Sequence, residues 1–464
     1  MNESKKNSNL RKMVSRRRLL QGSGAIATAA AMPYIWTPRE VKATAGFGTA
    51  KHLIYVRLSG GFRFPTAFNG NLSSQFNPFG TATGVASGTE WGVGSILGQN
   101  AWRTDELIEI GLKPVPSFTN DMAVLTCVDH EPLSGSADGN HQTGLERYLT
   151  GYVGGDVGLF TMINYGLREQ TLMAQADGAI KLPAIIMGES GMGRGSGIYG
   201  AYRPPVLRGD DLDRFAAGTS DALPEWARTL SEARDTRLSE KVNAAHFSRI
   251  DAYIQSREAT KAYAEIFASD TLKIGDGGNE MIDGISNAEL AAAFEGTRSG
   301  QDAHLALRLF HFGCPAVYLD EGGYDYHSDE ETELPMRIQG LNQMLSGLEW
   351  ALKRMDHPDG GKYWDHTVIA LGSEFSRSTR GAAFNSGRGS DHGGDYATRY
   401  MSMPFMGGPI AAAGRQIGST NPDDMSPEGA VFSYRSTWKT MLDALGCEHD
   451  EFFPADEPFD DLFV

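Results

Sequence analysis

Short apolar runs that end in glycine or polar residues constrain the fold of this chain more than any other feature. Five runs have the length and composition of buried strands; they span residues 52–58, 122–128, 182–187, 316–319 and 367–371. Helical patterns lie between several of them. Strands that alternate with helices form largely parallel sheets covered by helices on both faces. The sequence therefore predicts an α/β fold of this kind.

The clearest helical pattern precedes the last of these runs. Its apolar residues alternate at spacings of three and four, which places them on one stripe: Ile338, Leu341, Leu345, Leu348, Leu352 and Met355. Asp356 and two following glycines predict the end of this helix. A shorter helix is predicted at 303–312. Residues 205–300 read as a mostly helical insertion, so residues 46–464 form one predicted domain.

The first 45 residues have the order of an export signal. A basic polar segment leads into Ser15-Arg16-Arg17-Arg18, and a mildly apolar stretch runs from Ala25 to Trp36. This order predicts a twin-arginine signal peptide, and Ala43-Thr44-Ala45 suits cleavage near Gly46. The apolar stretch is too short and too interrupted to span a bilayer stably. Two alternatives stay open: retention of the segment as an anchor, and a basic tail before a buried helix.

Export predicts a periplasmic or secreted protein whose partner in transit is the twin-arginine translocase. Without residues 1–45 the chain carries 33 basic and 56 acidic residues, a formal charge of −23. Such a surface repels nucleic acid and anionic lipid, so we expect neither as a partner, and no stable membrane span after cleavage. Cys127, Cys314 and Cys447 are odd in number and far apart, which indicates buried apolar residues rather than disulfides.

Polar clusters follow two of the predicted strands, and a third follows a glycine-rich stretch. They occupy Gly322–His327, Ser373–Arg377 and Gly389–Gly394. In parallel sheets, polar residues just past the strand ends form the site. Carboxylate oxygens with imidazole nitrogens are the ligand set of zinc and similar ions. Taken singly, each Asp-His pair has another interpretation, in which the aspartate caps a loop and the histidine is solvated. Glu374 alone can likewise be interpreted as an ion-pair partner.

These motifs, in this order, resemble the exported domain of unknown function 1501 family. The shared elements are the signal, Leu58-Ser59-Gly60-Gly61, Gly323–His327, Ser373–Arg377 and Asp391-His392-Gly393, over residues 50 to about 420. That family belongs to the alkaline phosphatase and sulfatase superfamily. The resemblance implies an alkaline-phosphatase-like α/β domain. It further implies a metal-dependent hydrolase of phosphate or sulfate esters, on small molecules or polymers.

The resemblance also implies a ligand set. It makes Asp325, His327 and His392 ligands of one metal, and it matches Glu374 to the carboxylate that serves a second metal. The expected ion is divalent, zinc first, with calcium or manganese as alternatives. The full set of candidate metal residues is Asp325, His327, Glu374, Asp391, His392 and His141.

The chain departs from the family pattern where a second metal and a nucleophile are expected. No aspartate follows the paired glycines after the first strand; Arg63 stands there instead. We hypothesise that Arg63 pairs with Glu374 in place of that metal, which predicts at most one tightly held divalent ion. The alternative is a surface or ion-paired Arg63. Arg63 and Arg377 are the candidate substrate-binding residues.

The nucleophile stays open among four residues: Thr66, Ser134, Ser136 and Asn140. Because of these departures from the family pattern, a second functional hypothesis stays open in addition to the hydrolase. In that alternative the chain is a catalytically degenerate member of the superfamily, and it works as an extracytoplasmic binding or assembly protein.

Overall fold

A computed structural model describes most of the chain from Gly48 onward. It covers residues 48–68, 97, 109–131, 139–171, 180–188, 191–207, 233, 236–237, 263, 265–275, 277–297, 299–327, 329–377, 396–411, 413–421, 423–459 and 462–463. The predicted export signal, Ser134, Ser136, Asp391, His392 and most of the predicted helical insertion lie outside these residues.

The described strands and helices alternate through much of the chain. The strands are β1 (His52–Ser59), β2 (Met122–Asp129), β3 (Ile185–Met187), β4 (Val206–Leu207), β5 (Met281–Ile282), β6 (Ile285–Ser286), β7 (Ala316–Gly322), β8 (Thr367–Gly372), β9 (Tyr400–Met406), β10 (Arg415–Ile417), β11 (Ser419–Thr420), β12 (Pro427–Glu428) and β13 (Phe432–Ser433). The longer helices are α1 (His141–Thr150), α2 (Leu159–Gly166), α3 (Asn287–Phe294), α4 (Gly300–Phe310), α5 (Glu330–Leu352) and α6 (Tyr434–Ala444).

One mixed sheet forms the centre of the described structure. Its order is β10-β2-β9-β8-β1-β7-β3-β4, with β13 paired to β2. β1 is parallel to β7 and to β8, whereas β9 is antiparallel to β2 and to β8. The prediction of a largely parallel sheet with helices is confirmed. Within the described ranges, none of the helices has the length and apolar character needed to cross a membrane.

The five predicted strands all form, and four of them run one to three residues past the predicted end. The fifth, β3, covers only the second half of its predicted run. The strongest predicted helix becomes α5, and the apolar stripe from Ile338 to Leu352 is buried. Within the predicted insertion, the described part includes the hairpin β5–β6 and the helix α3, which Ser286 begins with a capping box. α3 packs against α4 and α5.

The register of β1 determines where the polar clusters meet. Ser59 at its end lies opposite Gly322 of β7, and Arg57 lies opposite Gly372 of β8. The carboxyl ends of all three strands are therefore level at one edge of the sheet. The loops that follow them bring the first two predicted clusters together.

Two neutral histidines, His52 and His357, contact each other at the amino end of β1, opposite the polar clusters. His52 Nδ1 lies 2.8 Å from the Cys314 carbonyl oxygen, and His52 Nε2 lies 3.2 Å from His357 Nε2. The Asp359 backbone N–H donates to His357 Nδ1 at 3.1 Å. Because a carbonyl only accepts, His52 carries its proton on Nδ1, and His357 donates from Nε2. Burial, the largest cause, lowers the pKa of His52 to about 3 and of His357 to about 4.

We predict that acid destabilises the protein through this pair. Unfolded histidines take up protons near a pKa of about 6.5, whereas the folded pair resists protonation until about pH 3 to 4. Stability from the pair is therefore complete above about pH 6.5 and falls as the pH drops toward the folded pKa values. Urea unfolding at about pH 7.5, 6 and 5 should show a decreasing free energy of unfolding.

The variant His357→Gln separates this effect from other titrations. Its amide still donates to His52, so the protein should fold, but one titrating group is removed and the decrease between about pH 7.5 and 5 should be shallower. His304, whose pKa burial lowers to about 3, contributes equally in both proteins. An identical pH dependence in the variant and the wild type would contradict the role given to His357.

Candidate metal centre

His141 enters the site from the start of α1. The Asn140 side chain accepts a hydrogen bond from the Thr143 backbone N–H at 3.0 Å and so caps the helix. Gly144 lets α1 approach the loop after β8, because a Cβ there would lie 3.1 Å from the Glu374 carbonyl oxygen. The His141 ring packs on Phe375 with ring centroids 4.9 Å apart. Asn140, a candidate nucleophile in the sequence, thus serves as a helix cap that places its neighbour.

Asp325 and His327 enter from the loop after β7. The loop after β1 touches this segment: a Cβ on Gly60 would lie 2.4 Å from the Asp325 backbone nitrogen, and Gly60 has a φ of +109°. Only glycine satisfies both conditions. The Tyr324 backbone N–H donates to the Ser59 carbonyl at 3.1 Å, which fixes the two loops together.

The three side chains converge on a small volume. Asp325 Oδ1 lies 3.3 Å from His141 Nε2 and 3.1 Å from His327 Nε2, and one ligand atom from each of the three residues lies within 4.8 Å of the others. Two ligands of one tetrahedral zinc, each at about 2.0–2.1 Å from it, lie about 3.3 Å apart. One carboxylate and two imidazoles are also a zinc-type donor set. The residues present therefore fit a divalent ion.

Arg377 holds Asp325 in place from inside the protein. Its buried guanidinium contacts Asp325 Oδ1, and it donates to the carbonyl oxygens of Gly61 at 3.1 Å, Tyr326 at 3.0 Å and Gly60 at 2.7 Å. Burial opposes the charge of Asp325, but Arg377, with His141 and His327, lowers the pKa of that carboxyl group. Arg377 was a candidate substrate-binding residue, and the structure places its side chain fully buried among backbone carbonyls.

Glu374 lies behind His141, and it is 2 % exposed. Its Oε1 accepts from the Gly60 backbone N–H at 2.9 Å and lies 3.6 Å from His141 Nδ1. Arg57 bonds to the same carboxylate. Burial alone would raise the pKa of Glu374, but the nearby His141 and the bonds to Arg57 and Gly60 lower it to about 2. The pKa of His141 is raised, first by the nearby Glu374, against the effect of burial.

The hypothesis that Arg63 pairs with Glu374 is wrong. Arg63 is buried and forms a two-pronged ion pair with Glu330 of α5, with Nε–Oε1 at 2.9 Å and Nη2–Oε2 at 2.8 Å. Arg63, a candidate substrate-binding residue, is thus placed inside the protein against α5. The chain bends after β1, so residue 63 faces α5, while Arg57 within the strand reaches Glu374.

Of the four candidate nucleophiles, two lie within the described residues. Thr66 is fully buried, and its hydroxyl donates to the Arg63 carbonyl at 2.8 Å, so it has no access to an ester. Ser134 and Ser136, like the candidate ligands Asp391 and His392, lie outside the described residues. Among the candidate ligands that are described, the side chains of Asp325, His327 and His141 come together. Glu374 lies near one of these three, His141.

Sheet and site together define an α/β protein with a cluster of one aspartate and two histidines at the carboxyl ends of its parallel strands. The family model of DUF1501, "Protein of unknown function", matches residues 198–459. This match covers more than half of the chain, and the protein belongs to that family. No curated protein matches the chain.

Several solved structures are similar to the chain at low identity. Ps i-CgsB shares 10 % identity with a TM-score of 0.36, covering 89 % of this chain and 75 % of that one. The lipoteichoic acid synthase LtaP from Listeria monocytogenes shares 12 %, with a TM-score of 0.31 and coverages of 94 % and 80 %. A protein in the alkaline phosphatase superfamily from Vibrio parahaemolyticus shares 10 %, with a TM-score of 0.32 and coverages of 91 % and 74 %. These likenesses carry no functional argument.

We predict that Arg377→Lys loosens the site and lowers stability. A lysine keeps the charge but loses the planar fork that reaches three carbonyls and Asp325, and buried donors of this kind contribute about 1.5–3 kcal/mol each when charged. Denaturant unfolding should show a loss of about 2–4 kcal/mol in the free energy of unfolding.

Arg337→Lys is the matched control for this substitution. Arg337 lies on α5 beside Tyr326 and pairs with Glu333 at 3.8 Å on a partly exposed surface. The control should lower the free energy of unfolding by less than about 0.5 kcal/mol. Equal losses in the two variants would show that Arg377 has no special structural role.

Proposed function

We propose that this protein is an exported, metal-dependent hydrolase-like protein that acts on phosphate or sulfate esters. The proposed ion is a single divalent cation, zinc first, held by His141, Asp325 and His327. The observation that carries the proposal is the spacing of their ligand atoms, 3.3 Å and 3.1 Å from Asp325 Oδ1 to the two imidazole nitrogens. This spacing suits ligands that share one ion.

Accessibility supports a reaction at this cluster. The side chains of Asp325 and His327 are 48 % and 56 % exposed, so an ester in solvent reaches them directly. A bound divalent cation supplies Lewis acidity toward an ester oxygen. The protein's own contribution is to hold Asp325 charged and in a fixed position through Arg377, while the outer face of the site is open to solvent.

A second candidate function is binding or assembly without turnover. The burial of Thr66 and the capping role of Asn140 favour it, because both residues are thereby unsuited to attack an ester. Ser134 and Ser136, which precede α1, remain the nucleophile candidates of the hydrolase proposal. Turnover measurements decide between the two functions.

The test is turnover of generic substrates by the purified chain. Aryl phosphate, bis-aryl phosphodiester and aryl sulfate are supplied with zinc, manganese or calcium. We expect metal-dependent hydrolysis of at least one substrate and one bound ion per chain by calorimetry. Asp325→Asn should lower both turnover and metal affinity by at least about 100-fold, because it removes the anionic ligand.

His311→Gln is the matched control. His311 forms an Asp-His pair with Asp283, at 2.9 Å, and it lies near the amino end of β7, away from the cluster. Its substitution should change neither metal binding nor turnover. Metal bound by the wild type without hydrolysis in any combination would favour the binding function, and the absence of binding would contradict the proposed site.

The export part of the proposal rests on residues 1–45. Replacing Arg16, Arg17 and Arg18 with lysine keeps the charge of the segment but removes the arginine pair. We expect the variant to accumulate in the cytoplasm, where the wild type is found outside it. Cell fractionation with immunodetection measures this, and unchanged export would contradict twin-arginine targeting.

A further inference from the structure

We infer that Arg57 and Glu374 form a buried pair that positions His141, so that Glu374 orients a ligand of the metal and is not itself a ligand. Nothing in the sequence motifs singles out Arg57, and the resemblance matches Glu374 to a metal-binding carboxylate. The inference rests on the proposed metal centre and specifies how one of its three ligands is held.

The surroundings of Glu374 argue against direct metal binding. Oε1 accepts from the Gly60 backbone N–H at 2.9 Å and lies 3.2 Å from an Arg57 terminal nitrogen. Oε2 accepts from Arg57 Nε at 3.2 Å and lies 3.2 Å from the Ser373 hydroxyl. Both oxygens are thus engaged inside the protein, and binding an ion would require breaking these contacts.

Arg57 places a fixed positive charge beside the Glu374 carboxylate. It lies within β1, where it faces Asp320 of β7, with Nη1 3.5 Å from Asp320 Oδ2. Its side chain is 12 % exposed, and its guanidinium lies 5.9 Å from the centre of the Tyr148 ring. Tyr148 belongs to α1, the helix that begins with His141. Arg57 therefore contacts both the carboxylate and the helix that the carboxylate orients.

The two nitrogens of His141 face two different carboxylates. Nδ1 lies 3.6 Å from Glu374 Oε1, and Nε2 lies 3.3 Å from Asp325 Oδ1. Each carboxylate can accept the proton of the nitrogen that faces it, and Glu374 favours the form of a neutral His141 that is protonated on Nδ1, which leaves Nε2 free to bind a metal. Phe375 restricts the ring from a third side, at 4.9 Å between centroids. The pair thereby restricts the orientation of the ligand and favours its Nδ1-protonated tautomer.

The test compares Glu374→Gln, Arg57→Met and Arg57→Lys with the wild type. Zinc affinity is measured by competition with a chelator. The His141 tautomer is read from its ring nitrogen shifts in the metal-free protein at about pH 9. Loss of such an orienting partner weakens metal binding by about 10- to 100-fold. We expect that range for Glu374→Gln and Arg57→Met, smaller losses for Arg57→Lys, one ion per chain at saturation, and a reduced Nδ1-protonated population of His141.

Two controls make the result decisive. Asp325→Asn removes a ligand and should abolish tight binding, whereas His311→Gln should leave zinc affinity unchanged. If Glu374→Gln loses the ion as completely as Asp325→Asn, Glu374 is a ligand and the inference is wrong. Unchanged affinity with an unchanged tautomer also overturns it.

The tautomer measurement separates this inference from the proposed function. If the wild type binds no zinc, the proposed metal centre fails, but the metal-free spectra still report on His141. A smaller Nδ1-protonated fraction of His141 in Glu374→Gln than in the wild type would support the positioning pair. Equal fractions in the two proteins would refute it. Arg57→Lys, which keeps the charge, provides a folded variant if Arg57→Met does not fold.

Discussion

The parallel register of β1 with β7 and β8 is the constraint on which the site depends. Because the three strands end level, their following loops meet, and each contributes a different chemical group. The close approach of Gly60 to the Asp325 backbone then requires a backbone that other residues rarely adopt. Arg377 belongs to the loop after β8, and it donates to carbonyl oxygens of the loops after β1 and β7. It thereby connects all three loops. The metal-type cluster is a consequence of this junction.

Three buried or largely buried arginines accompany this junction, and each faces a carboxylate. Arg57 faces Glu374, Arg63 faces Glu330, and Arg377 faces Asp325. Buried charges are tolerated when they are paired and hydrogen-bonded, and the pairs fix loop positions that apolar packing alone would leave adjustable.

The elements that follow from local pattern were predictable, and those that depend on long-range packing were not. The five apolar runs and the stripe of α5 gave correct elements because burial imposes a period on the sequence. β9 was missed because Pro404 and several methionines obscure its strand character. It forms because it lies between two other strands, β2 and β8. α6 was missed as well, although Ser433 caps it.

The site shows the same division. Asp325 and His327 lie two residues apart after a predicted strand, so their proximity was predictable. The role of His141 was predicted only from the family resemblance. The clearest feature of the sequence around it is Asn140, a residue typical of the position before the first turn of a helix. The choice between Arg57 and Arg63 as partner of Glu374 could not be made from sequence. Arg57 lies within the first predicted strand and Arg63 lies shortly after it, and only the bend after β1 separates their surroundings.

That choice also bears on how many ions the proposed metal centre can hold. The sequence led us to expect an arginine beside Glu374 in place of a second metal, and such an arginine is present, but it is Arg57. Because Arg57 and the Gly60 N–H already neutralise and bond the carboxylate, a second cation there would have to displace a guanidinium held at both oxygens. Asp325 differs, since nearly half of its side chain is exposed beside two imidazoles. The expectation of at most one tightly held ion therefore follows from how the two carboxylates are bonded, independently of which arginine does so.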